Sequence, residues 1–212
     1  MTNAGLPTVP KTWTEFIGKT APLTVFDERR NIVQSAIALG DHRNISHMKD
    51  ILAMLLLQAG NPIFDNTGAT PRPLLTESFG FTLKPAAAVL DFYSQFADPS
   101  RPNYSWNRSL PEAKQSFVRG QSAFYLGPAS EFVEIARANP HLVFDVALPP
   151  QKDNATRLTF ARTIAVAVVR DRPKSAVAWA AAQAFASAPT VEKLAQLTLL
   201  PPARSDLLAR WT

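Results

Sequence analysis

Few residues of this chain could make or break a bond. It has three histidines and no cysteine, which excludes disulfides, thiolate-bound zinc and thiol catalysis. His42 and His47 stand five apart, so a helix would not bring both to one face, and no second ligand pair follows at metal-like spacing. Eight glycines are present, none in a phosphate-loop or dinucleotide arrangement, and there is no Gly-x-Ser-x-Gly elbow. In Gly127-Pro128-Ala129-Ser130-Glu131, Ser130 could be taken for a nucleophile. A helix cap that leaves backbone N–H groups facing outward is the simpler role, binding polar or anionic atoms without reaction. Glu131 and Glu134 lack a partner at acid–base spacing. This inventory is poor for an enzyme and calls for no metal or cofactor.

Binding chemistry is better represented. Trp106 lies in the polar loop Tyr104-Ser105-Trp106-Asn107, where no core periodicity accounts for it. An indole beside amides can stack on the apolar face of a sugar while the amides bond its hydroxyls. Packing the loop onto its own domain is the alternative. Trp13 and Trp179 fall inside helical patterns and read as core. The chain is basic, with net charge +5, yet its Lys and Arg are scattered, with no stripe or motif that would recruit nucleic acid.

Elements must hold these residues in place. With 212 residues, 46% hydrophobic and 18% charged, the chain is long and apolar enough for a sizeable core. Thr12 and Glu15 have capping-box spacing before a helix carrying Trp13, Phe16 and Ile17. Residues 31–39 read as a buried strand ending at Gly40. The polar loop Asp41-His42-Arg43-Asn44 follows, then Ser46 as the cap of a core helix over 47–59 that stops at Gly60. Residues 61–83 read as a surface excursion and 84–96 as a helix opened by Pro85. Ser109 and Glu112 suggest a further capping box. Strands are expected at 122–126, 143–147 and 163–169, and helices at 130–138, 174–187 and 190–197. Alternating strands and helices predict an α/β fold with a mainly parallel sheet. Met1–Pro10 has neither the charged nor the apolar region of a signal peptide, and no apolar run reaches membrane-spanning length.

Several stretches, in this order, resemble the extracellular solute-binding proteins of ABC importers, the class of the maltose-binding type. They are Val9-Pro10-Lys11-Thr12-Trp13-Thr14-Glu15-Phe16, Leu57-Gln58-Ala59-Gly60-Asn61, Phe117 to Gly127, Asn139-Pro140 to Pro149, Ala178-Trp179 and Leu200-Pro201-Pro202-Ala203-Arg204. The resemblance implies a type II periplasmic-binding-protein-like C-terminal lobe over residues 1–150. Residues 151–212 would be a hinge crossover with a partial return to an N-terminal lobe that is otherwise missing. It also implies a clamp closing on a small solute, favoured as carbohydrate, outside the cytoplasm, and an ABC permease as partner. Asp41, Arg43, Asn44, Gly127, Ser130 and Glu131 would face the cleft, Trp106 would be the stacking ring, and Arg162 would mark the hinge. A small hydrolase using Ser130 or Glu131, and an interaction module pairing with a missing lobe or a second copy, are the rival readings.

Overall fold

A computed structural model of the chain describes residues 8–153, 157–161, 165–169 and 175–210. The core forms where apolar periodicity brings aromatic rings together. Thr12 caps helix α1 (Trp13–Thr20) by accepting from the Glu15 N–H at 3.2 Å. The Glu15 carboxylate reaches back to the Lys11 N–H at 3.0 Å, one residue before the position a capping box uses. Trp13 and Phe16 point inward and start a run of edge-on ring contacts. Phe16 meets Phe124, Trp13 meets Phe92 and Phe92 meets Phe96, with centroids 5.1–5.6 Å apart. Each geometry is the offset, edge-to-face kind that aromatic quadrupoles favour.

Strand β2 (Ile32–Ile37) is central in a three-stranded sheet. The two-residue β1 (Val25–Phe26) pairs with it antiparallel, and β5 (Ser122–Phe124) pairs with it parallel, in the register Ser35 to Ser122 and Ile37 to Phe124. Ala36, Ile37, Ala38 and Leu39 are buried, and Gly40 turns the chain at φ +95°. A Cβ on Gly40 would sit 2.6 Å from the Ala97 backbone nitrogen, so both its conformation and its packing require glycine. Helix α2 (Met48–Gln58) buries Ile51, Met54 and Leu55 and packs against α3 (Pro85–Ser94). Gly60, at φ +79°, donates to Leu57 O while Asn61 donates to Leu56 O, a Schellman stop. The excursion over 61–83 holds a small hairpin of β3 (Phe64–Asp65) and β4 (Arg72–Pro73).

Several expectations are corrected. His47, not Ser46, occupies the N-cap of α2, and the Ser46 hydroxyl donates to Glu112 at 2.7 Å. Helix α4 (Ala113–Val118) is capped by Glu112 alone, because Ser109 is held in a turn by Asn107. Residues 143–147 form no strand, and Val143 is 98% exposed. The described part of the predicted 163–169 strand, 165–169, is outside any ladder, with Val166 and Val169 exposed. Apolar character alone does not make a strand; a neighbour must accept and donate along its backbone.

The chain divides into two units, one of Met1–Gly127 with Ile135–Phe160, the other of Pro128–Glu134 with Ala161–Thr212. α5 (Phe132–Ala138) spans one junction between the units. Within the second unit, α6 (Ser175–Phe185) packs on α7 (Ala188–Thr198), and the short α8 (Ser205–Leu208) follows. Arg204 donates to Ala186 O and to both carboxylate oxygens of Asp206. Residues 166–169 and α6 flank an apolar groove of about 350 Å³. Trp179, expected in the core, is 59% exposed on α6, on a face that no other element covers among the described residues.

Gly40→Ala is expected to lose about 3 kcal/mol, combining a left-handed backbone with a clash against main chain. Gly60→Ala, with open space around the new methyl, should lose about 1 kcal/mol. Urea unfolding of the two variants checks the difference.

Candidate functional site

Parallel pairing of β2 and β5 sends both strands out of the sheet at the same edge. The loops that follow them, 38–47 and 125–127, therefore gather at the carboxyl ends of parallel strands, the position where open α/β sheets bind ligands. A third loop joins them. The Ser105 hydroxyl donates to Ile37 O at 2.8 Å, and the Ser105 and Trp106 N–H groups both donate to Phe96 O.

Asp41, Asn44 and Trp106 are brought together, but chiefly to hold these loops. Trp106 is 0% exposed, and its Nε1 donates to Asn44 Oδ1 at 2.9 Å. Asn44 Nδ2 donates to Asn107 O and to Leu110 O, each at 3.0 Å. Trp106 is thus a core residue that fastens its own loop, and the expected stacking ring is corrected. A fully buried indole offers no face to a sugar. Asp41, 8% exposed, accepts at Oδ1 from the N–H groups of His42 and Arg43, and Arg108 Nε lies 3.5 Å from Oδ2. The Arg43 N–H bond holds the Asp41 carboxyl below the usual range, aided by the His42 N–H and the Arg108 charge and opposed by desolvation. The buried Tyr93 hydroxyl donates to Asp41 O at 2.7 Å, and burial pushes that phenol well above its ordinary value. Arg43 and His42 are exposed at this edge.

Gly127 is exposed, and a Cβ there would overlap the Tyr125 ring. Tyr125 is the residue the sequence did not single out. It follows β5 directly, its ring stacks on Phe117 at 5.7 Å, and it meets His47 edge-on at 6.4 Å. His47 Nδ1 is in turn 3.8 Å from Asp50 Oδ2. Phe144 closes on the other partner, meeting Phe117 at 5.8 Å. One signal was available: Tyr125 sits two residues before a glycine at the exit of a predicted strand.

Ser130 lies in an exposed 3-10 turn, Ala129–Glu131, whose N-cap is Pro128, so it does not cap the helix as expected. Glu131 is half-buried in the same turn, in the second unit. Arg162 lies outside the described residues. Among the described residues no three His, Asp or Glu side chains gather as a metal site would need, and no helix is long and apolar enough to cross a membrane.

A family model of bacterial extracellular solute-binding proteins matches residues 1–210. The chain belongs to that family. In fold it is similar to an ABC transporter solute-binding protein from Thermotoga lettingae TMO, solved with α-D-tagatose bound, at 20% identity and a TM-score of 0.59. The similarity covers 100% of this chain and 52% of the other, so the chain spans about half the length of that protein. No protein of curated function matches the sequence. The family and this structural neighbour are binding proteins rather than enzymes.

Asp41→Ala leaves two N–H groups without their carboxylate and is expected to cost about 1–2 kcal/mol at neutral pH. Because the folded carboxyl titrates below its unfolded value, its ionic stabilisation is present above about pH 4 and is lost as pH falls through the lower, folded value. The gap between wild type and variant, read from urea midpoints, should therefore narrow toward acid. Trp106→Ala should cost about 3–5 kcal/mol through lost packing together with the lost bond to Asn44.

Proposed function

We propose that this chain supplies one solute-gripping face of an extracellular binding protein that serves an ABC permease, with a small carbohydrate as its solute. The observation that carries the reading is the convergence of the β2 and β5 exits on Tyr125, His47 and Gly127. An amphipathic ring beside an imidazole suits a sugar, whose C–H faces stack while its hydroxyls bond. The tagatose bound to the structural neighbour supports that substrate class. The exposed Arg43 and His42 at the same edge supply donors for hydroxyl or acidic groups. Gly127 keeps the ring in place by leaving it room.

In a clamp, binding energy holds the closed state, and one face alone supplies part of it. The apolar groove of the second unit and the exposed Trp179 and Leu197, the latter at 72%, fit cover by a further lobe rather than by water. Affinity of this chain by itself is accordingly expected to be weak, well above micromolar.

The test is an NMR titration of the isolated chain with tagatose and a panel of monosaccharides at millimolar concentration. Shifts should centre on Tyr125, His47 and Gly127 and leave the Trp106 indole N–H unmoved. They should shrink several-fold in Tyr125→Ala and in Gly127→Ala, where the added methyl displaces the ring. A panel of sugars that moves none of these signals would sink the proposal.

A further inference from the structure

One side chain of α2 holds three distant parts of the chain at once. Gln58, the last residue of the helix, accepts at Oε1 from Trp13 Nε1 at 2.8 Å. Its Nε2 donates to Pro150 O at 3.1 Å and to Leu158 O at 3.0 Å. A primary amide has two N–H donors, and both are in use. A second glutamine completes the arrangement. Gln151, 9% exposed, donates from Nε2 to Pro149 O at 2.8 Å and accepts at Oε1 from the Leu158 N–H at 2.7 Å. Its own backbone makes an isolated parallel bridge with Thr12: Gln151 N–H to Lys11 O and Trp13 N–H to Gln151 O, both 2.9 Å.

The chemistry asks for amides. Pro149 and Pro150 cannot donate, so only their carbonyls are available for anchoring. Leu158 presents both backbone groups, and each glutamine takes one. A glutamate at 58 would set carboxylate oxygens against two carbonyl oxygens; a leucine would leave the Trp13 N–H and both carbonyls unmatched. Residues 157–160 have no ladder of their own, and the chain passes to the second unit directly after Phe160.

We propose that Gln58 and Gln151 form a clasp that fixes the point where the chain leaves the first unit. They bind the exit segment 157–160 and the entry segment 11–13 to the end of α2. Gln58 is a positioning residue in this arrangement. The inference rests on the solute-binding reading only in giving that exit the role of a crossing between lobes; the clasp itself stands on the hydrogen bonds.

The experiment compares Gln58→Glu and Gln151→Leu, which removes the acceptor of the Leu158 N–H, with Ile51→Val, a mild core change in the same helix. Amide exchange and trypsin cleavage at the exposed Arg157 are measured on the full chain. Either glutamine variant should raise Leu158 exchange and Arg157 cleavage about tenfold while β2 amides keep their protection. Ile51→Val should leave the ratio of Leu158 to β2 exchange unchanged. If both glutamine variants leave that ratio at the wild-type value, or raise exchange equally throughout the first unit, the clasp is overturned. Sugar titration of the same samples keeps the two proposals apart, since the clasp can hold in a chain that binds no sugar and fail in one that does.

Discussion

Two strands distant in sequence run side by side in one direction, and the candidate site follows from that. In the β2–β5 pair, Ser35 is level with Ser122 and Ile37 with Phe124. An antiparallel pairing would send the two exits to opposite edges of the sheet. Parallel pairing places the Gly40–His47 loop and the Tyr125–Gly127 loop together, and it requires a long connection between the strands. That connection carries α2, α3 and α4, so much of the core of the first unit is the crossover of one βαβ unit.

Polar side chains then set the shape of that edge. Asn44, Asp41 and Ser105 each bond to backbone of another loop or of their own turn, and Trp106 fills the space beneath. Buried polar groups of this kind are stabilising only when matched, so each bond fixes a loop position as well as adding energy. Loops held in this way can present Tyr125 and Gly127 with little rearrangement.

The two units differ in how far they satisfy themselves. In the first, rings from α1, α3 and β5 touch in succession, and α2 and α4 are stopped by Gly60 and Gly120. In the second, Val166, Val177, Trp179, Phe185 and Leu197 are exposed. The same apolar composition thus gives a filled core in one place and an uncovered surface in another.

Composition, glycine stops and apolar periodicity determined most elements of the first unit. β2, α1, α2 and α3 lie within a few residues of their expected places because each depends on contacts near in sequence: a cap at Thr12, a turn at Gly60, a proline at 85. The family resemblance was legible too, since it rests on ordered short motifs. Side-chain destination was not. Trp106 and Tyr125 are both aromatic residues near loop starts, yet one is sealed in the core and the other borders the strand exits. That choice is made by a register between strands almost ninety residues apart, which no local pattern encodes. Residues 143–147 and 165–169 show the same limit, for an apolar run becomes a strand only where another backbone meets it.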